Sequence, residues 1–195
     1  MSKVSSINII FANKKPELMT DDKKEPWLNY LALTTIIFAV AATLSTFKGG
    51  GYSTRSMLSQ EQASNKWSYY QSKSLKLYLY ETQKDVLDLD TKSMKNVEAS
   101  VIDAYKKKIS DYEQSMKRYD KEKADIKKDA EHLESLRDEA QKHSQAFGMA
   151  VIFLQISILI SSIAALIKKR YLWLIGIGVG AVGLIYFING FLLFI

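Results

Sequence analysis

The feature that most constrains this chain is a set of three long apolar runs without a single Asp, Glu, Lys or Arg. They cover residues 27–47, 147–167 and 171–195. A helix needs about 20 apolar residues to cross the hydrocarbon core of a bilayer. We therefore predict three transmembrane helices at these positions, with the lipid bilayer as the first partner. Pro26 suits the first turn of the first helix, and Gly49–Gly51 is expected to end it.

The basic residues beside the apolar runs predict the orientation of the chain. Residues 168–170, all Lys or Arg, form the whole loop between the second and third runs, and four lysines shortly precede the first run. Because basic residues in short loops stay in the cytoplasm, residues 1–26 and 168–170 are predicted to be cytoplasmic. Residues 48–146 are then expected on the other side, in the periplasm if the chain lies in a bacterial inner membrane. A cleaved signal peptide is the alternative for the first run, but that run starts late and is too long.

A seven-residue hydrophobic repeat fills the polar segment before the second apolar run. Between Ile102 and Ala140, ten of the twelve positions in this repeat are apolar or aromatic, and the residues between them are mostly Lys, Glu and Asp. This pattern is typical of a left-handed coiled coil. We predict one helix from about residue 95 to residue 167 and a shorter one over about 56–89. Turn and capping residues place the tip of an antiparallel hairpin near residues 88–94.

The predicted fold is therefore all-α, with three transmembrane helices and a long coiled-coil hairpin between the first and the second. Counting outward from the tip places Tyr112 and Tyr119 opposite Ser72 and Ser64, so that large rings face small residues. The two arms are predicted to be unequal in length, and one hairpin has little core of its own. Both features favour a homo-oligomer, in which the hairpin helices pair either within or between subunits.

A short motif lies near the start of the first arm. Its residues are Gln62, Ala63, Trp67, Tyr70, Gln71, Lys73 and Ser74. The motif resembles that of a bacterial membrane protein family, domain-of-unknown-function family 4337. The resemblance extends over most of the chain and implies no activity. Trp67, Tyr70 and Ser74 share one helical face, with Lys73 to the side. We expect this face to pack against the long helix or a neighbouring subunit, and a partner or lipid contact is the alternative.

The third apolar run contains closely spaced glycines. A phosphate-binding glycine loop needs a preceding strand and an aqueous ligand, and this run offers neither. Small residues in membrane helices allow close approach of a neighbouring helix, so Gly176, Gly180 and Gly183 are predicted to pack against one. Gln155 and Asn189 are the main polar candidates within the apolar runs. They are expected either to bridge helices or to line a pore in an oligomer.

No catalytic, metal or cofactor site is expected. The chain has no cysteine, which excludes thiolate chemistry. His132 and His143 lie roughly 16 Å apart along a helix, too far apart to share a metal ion, and both are expected to be solvated. Although the net charge is +6, acidic residues alternate with the basic ones around Lys106–Lys108. A nucleic-acid partner is therefore not expected.

These observations favour a non-enzymatic membrane protein that self-assembles and has a structural or scaffold role in the bacterial envelope. An oligomeric channel is one alternative, with Gln155 or Asn189 lining the pore. The other alternative is an accessory subunit of a larger membrane complex, which an unidentified protein partner recognises at the hairpin tip.

Overall fold

A computed structural model describes residues 26–95 and 97–194 of the chain. They form three helices: α1, Pro26–Ser93; α2, Ala99–Ile167; and α3, Arg170–Leu192. The described residues contain no strand, so the prediction of an all-α fold is confirmed. The predicted cytoplasmic segment lies outside the described residues, except for Pro26.

The first helix does not end at the three glycines, contrary to the prediction. α1 is continuous through Gly49–Gly51, and none of these glycines has a positive φ. Gly49 lies so close to α2 that a Cβ atom there would come within 3.0 Å of the Phe147 Cβ. A glycine costs a helix about 1 kcal/mol relative to alanine, and packing along α2 outweighs that local cost. The arms of the hairpin are therefore nearly equal in length.

α1 and α2 pack side by side in opposite directions along their lengths. Pairs that define this arrangement, from the turn towards the apolar end, are Lys84–Glu113, Lys66–Asp129 and Gly49–Ser144. Two inward series on α1, each with a spacing of seven residues, run from Leu31 to Leu87 and from Thr35 to Thr91. Every position in both series is buried or half-buried. The seven-residue repeat predicted on α2 also faces inward, so α1 and α2 pack with the same seven-residue spacing along the whole hairpin.

The turn of the hairpin lies beyond the predicted tip at residues 88–94. α1 continues to Ser93, and α2 begins at Ala99. Leu87 and Thr91 extend the two inward series, and the Thr91 hydroxyl donates a hydrogen bond to the Leu87 carbonyl at 2.7 Å. Packing against α2 thus keeps in the helix a segment whose composition is typical of a turn.

This shift of the turn also changes which residues face one another. Tyr112 and Tyr119 do not meet Ser72 and Ser64, as predicted from the earlier tip. Both rings instead contact the ring of Tyr80, with centroid distances of 5.4 and 5.6 Å. Aromatic pairs at such distances are favourable beyond their buried area, so rings pack on rings here.

Each of the three helices contains a stretch that is long and apolar enough to cross a membrane. α2 ends where Lys168 adopts the left-handed conformation, with φ 56°, and its N–H bonds the Ala164 carbonyl. α3 then turns back and packs mainly against α2. The apolar end of the molecule is therefore a three-helix bundle, and the polar end is a two-helix arm.

Candidate functional site

The motif of the first arm lies on the face of α1 that contacts α2. Trp67 is half-buried, and its Nε1–H donates a hydrogen bond of 2.8 Å to Glu134. The Trp67 ring meets the Tyr70 ring edge-on, at a centroid distance of 5.5 Å. Ala63 is buried one turn before Trp67, whereas Gln71 is exposed. The motif thus contributes largely to the contact between the two helices of one chain.

Lys73 is the charged residue of the motif, and only 12% of its side chain is exposed. Its ammonium lies 2.6 Å from a Glu122 carboxylate oxygen and 5.1 Å from the ring centroids of both Tyr69 and Tyr119. The paired Glu122 carboxylate raises the pKa of Lys73. Lys73 in turn lowers the pKa of Glu122. Lys73 is therefore held as a cation, which suits a fixed ion pair and not a nucleophile.

Similar polar pairs join α1 to α2 along the rest of the arm. We call them the polar ladder, which consists of Gln60–Arg137, Lys66–Asp129, Trp67–Glu134, Lys73–Glu122 and Lys84–Glu113. Lys66 lowers the pKa of Asp129, and Glu113 raises the pKa of Lys84. Exposed ion pairs contribute little stability each. Their regular order along two antiparallel helices nevertheless opposes a shift in register, because a shift would separate every pair.

A second cluster joins all three helices where the arm meets the bundle. Tyr52 of α1 stacks on His143 of α2 at a centroid distance of 4.4 Å. His143 Nδ1 lies 2.8 Å from the Gly190 carbonyl of α3. A carbonyl can only accept, so Nδ1 carries the proton of this hydrogen bond. Beneath this pair, Phe147 is fully buried. We call this cluster the three-helix junction.

The junction was not foreseen from the sequence, which predicted a solvated His143. Phe147 belongs to the seven-residue series on α2 that passes through Tyr105 and Tyr119, and this was the one available signal. Gly190 gave none, because its role depends on contact with Phe147: a Cβ atom there would lie 2.7 Å from the Phe147 ring. The other histidine, His132, is exposed, as the sequence predicted.

The glycines of α3 form the closest approaches in the bundle. A Cβ atom at Gly176 would lie 3.0 Å from the Ser161 hydroxyl, and one at Gly183 would lie 2.8 Å from Leu154 Cγ. A Cβ atom at Gly180 would overlap the Phe38 ring of α1. These three glycines therefore lie where α3 meets α2 and α1. The Ser157 hydroxyl also donates a 2.6 Å hydrogen bond to the Gly176 carbonyl.

The two polar residues considered for a pore lie apart. Asn189 is buried, and its side-chain oxygen accepts a 2.8 Å hydrogen bond from the Phe194 N–H. Gln155 is exposed on the outer surface of α2. Asn189 borders a groove beside Ala146, which lies nine residues before Gln155, or about 13 Å along the helix. The two amides therefore do not share a surface within one chain.

Within residues 26–95 and 97–194, no group of three or more His, Cys, Asp and Glu side chains could hold a metal ion.

Comparison with known proteins adds one family relationship. A family model described as a domain of unknown function (DUF4337) matches residues 27–193. The match spans the motif, the polar ladder and the three-helix junction. The searches of curated proteins and of solved structures gave no match.

Proposed function

The chain belongs to the family described as a domain of unknown function, DUF4337, and from the architecture of its helices we propose that it is a non-enzymatic membrane scaffold. The resemblance carried by the motif at Trp67 and Tyr70 is thereby confirmed at the level of the family. In the proposed arrangement, the apolar stretches of all three helices cross a bacterial inner membrane. The N-terminal segment and the basic link at residues 168–170 face the cytoplasm, and the arm over residues 48–146 projects into the periplasm.

The observation that carries this proposal is the continuity of the helices from the apolar bundle into the arm. α1 and α2 have 68 and 69 residues and show no break where their composition changes from apolar to charged. The part of α1 from residue 48 to residue 93 spans about 70 Å at 1.5 Å per residue. Such an arm keeps a fixed direction relative to the bundle, as a spacer or scaffold requires.

The contacts within the arm support the same role. The inward series of α1 and α2 repeat every seven residues, which favours a coiled-coil arm. The charged groups of the polar ladder are used in pairs that fix register, and Lys73 is held protonated by Glu122. The three-helix junction then joins the base of the arm to α3 through His143 and Gly190. These contacts favour rigidity over chemical reactivity.

An oligomeric channel is the second candidate, and Gln155 is the observation that favours it. Its amide is exposed on α2 among lipid-facing apolar residues. An amide in hydrocarbon is costly without a hydrogen-bond partner, and such side chains commonly bond across neighbouring membrane helices. A ring of Gln155 side chains from several copies could therefore close an assembly or line a pore. Conductance in planar bilayers that is lost in Gln155→Leu would favour the channel over the scaffold.

Membrane crossing and orientation can be tested with single-cysteine variants, since the chain has no cysteine. Lys121→Cys lies on the exposed surface of the arm, and Lys169→Cys lies in the link between α2 and α3. In spheroplasts, a membrane-impermeant maleimide is expected to label Lys121→Cys at once and Lys169→Cys only after permeabilisation. The opposite pattern would overturn the orientation. Release of the protein by alkaline carbonate would overturn membrane crossing itself.

A further inference from the structure

The outer faces of the two arm helices differ in character. Over residues 102–146, every large apolar side chain of α2 is buried or half-buried. In the arm part of α1, by contrast, several leucines and a valine are more than half exposed. Those that matter here are Leu58, Leu75, Leu79, Val86 and Leu89. An apolar face of this extent on a water-exposed arm is typical of a contact surface.

These five residues fall on two series with a seven-residue spacing, and the positions of those series between Leu58 and Leu75 are polar, namely Glu61, Asn65, Ser68 and Ser72. Leu58, Leu79 and Val86 belong to one series, and Leu75 and Leu89 belong to a second series three residues further along. The same two series, followed backwards into the apolar stretch of α1, reach Tyr30 and Leu33. Every position in both series, from Tyr30 to Leu89, is exposed, and only Glu61 among them is charged. We call these positions the outer seam.

The repeat length limits what can cover the outer seam. Lipid requires an apolar surface but no particular periodicity, and it does not reach the distal arm. A spacing of 3.5 residues per turn is the requirement of a partner helix that supercoils with α1. Within the arm, the apolar residues of the seam keep one phase from Leu58 to Leu89. The partner is therefore a helix that lies along the arm.

We infer that the outer seam packs against the outer seam of a second copy of this chain, in parallel and in register. The inference rests on the proposed membrane crossing, because copies with one orientation in a bilayer present their α1 helices in parallel. Leu75 and Leu89 occupy one series, and Leu58, Leu79 and Val86 occupy the other, so both series present branched apolar side chains to a partner helix. Asn65 occupies the Val86 series, and a single asparagine there selects an in-register pair.

The area available in the arm is that of a small specific interface. The five arm residues expose roughly 100 Å² each, so pairing would remove on the order of 1,000 Å² from water. Six apolar residues of the same series within the bundle would extend the contact through lipid, where close packing and not burial stabilises it. Two features oppose the pair, and the first is that Glu61 of the outer seam would face Glu61 of the second copy. Parallel pairing brings Asp85 close to Asp90 of the second copy, and like charges at flanking positions repel. Reversing one of these charges should therefore tighten the contact.

Disulfide trapping in native membranes tests the inference. Leu79→Cys places the only thiol of the full-length chain on the outer seam. Glu81→Cys, on the same turn of α1, and Lys117→Cys, at about the same height on α2, are exposed controls off the seam. A disulfide needs Cα atoms about 4.4–6.8 Å apart, so Leu79→Cys is expected to give on the order of tenfold more covalent dimer than either control.

A second substitution tests whether the yield of covalent dimer can also be raised. Adding Asp90→Lys to Leu79→Cys should raise the dimer yield, because the ammonium introduced into one copy would lie beside Asp85 of the other. Equal trapping at all three sites would overturn the inference. So would no trapping at Leu79→Cys in protein that floats with its membranes. Protein that fails to float would overturn the membrane proposal instead, so the two failures can be told apart.

Discussion

In the apolar bundle, Phe147 fills the space left by Gly190, and a glycine at position 183 lets α3 approach Leu154. In the arm, the same α2 helix packs on α1 through tyrosine rings and ion pairs such as Lys73–Glu122. The seven-residue geometry is common to both parts, so, on the proposed membrane crossing, the difference lies in the solvent. Lipid provides no hydrophobic force between helices, which makes close packing decisive. In water, rings supply buried area and charges select the register.

The largest effect is expected from adding bulk in the bundle. Gly183→Leu should force α3 away from α2, because even a Cβ atom would lie 3.0 Å from the Leu154 backbone nitrogen. We expect a loss of about 3 kcal/mol, or about 10 °C in the melting temperature of the detergent-solubilised protein. Gly178→Leu is the matched control, since a Cβ atom there meets nothing within 4 Å. If both variants melt alike, close packing does not hold the bundle.

A smaller effect is expected from removing a ring in the arm. Trp67→Ala deletes the contact with Tyr70 and leaves Glu134 without its Nε1–H donor. Because Trp67 is half-buried, we expect a loss of about 2 kcal/mol. Trp67→Phe keeps a ring and removes only the hydrogen bond, so it should lose about 1 kcal/mol. Denaturation followed by the loss of helical circular dichroism would rank the three proteins, and an unchanged Trp67→Ala would show that the Trp67 side chain has no role in arm stability.

The smallest effect is expected from acid. Lys73 and Lys66 lower the pKa values of Glu122 and Asp129 in the folded arm. A lowered carboxyl pKa gives stability that is present above the ordinary pKa and is lost as the pH falls through the lowered one. The melting temperature should therefore be level from pH 8 to pH 5 and fall slightly below about pH 4. Glu122→Gln should flatten that fall, and a steeper fall in this variant would contradict the assignment.

The same contrast explains how far the sequence could predict the structure. The all-α fold and the long second helix were predictable, because the repeat from Ile102 runs into the apolar stretch without a proline. The uninterrupted α1 was not, because the glycines at Gly49–Gly51 have a local cost that only contact with α2 offsets. The position of the turn was missed for the same reason, since Leu87 and Thr91 are held helical by a partner distant in sequence.

The motif and the three-helix junction differ in the same way, because the first depends on residues close in sequence and the second on residues far apart. The spacing of Trp67, Tyr70 and Ser74 marked one helical face from the sequence alone. The junction could not be recognised in this way, because His143 depends on a carbonyl at Gly190 in another helix. The outer seam lies between these cases. Its repeat is visible in the sequence, but only the structure distinguishes it from the inward series.

The unbroken course of α1 and α2 has a mechanical consequence. If the bundle lies in a bilayer, its inclination adjusts to the thickness of the surrounding lipid, and membrane helices commonly vary in tilt by tens of degrees. An arm of about 70 Å without a hinge would turn a change of about 10° at its base into a displacement of about 12 Å at its end. Small differences in lipid composition would thus be enlarged into movements comparable to the width of a helix.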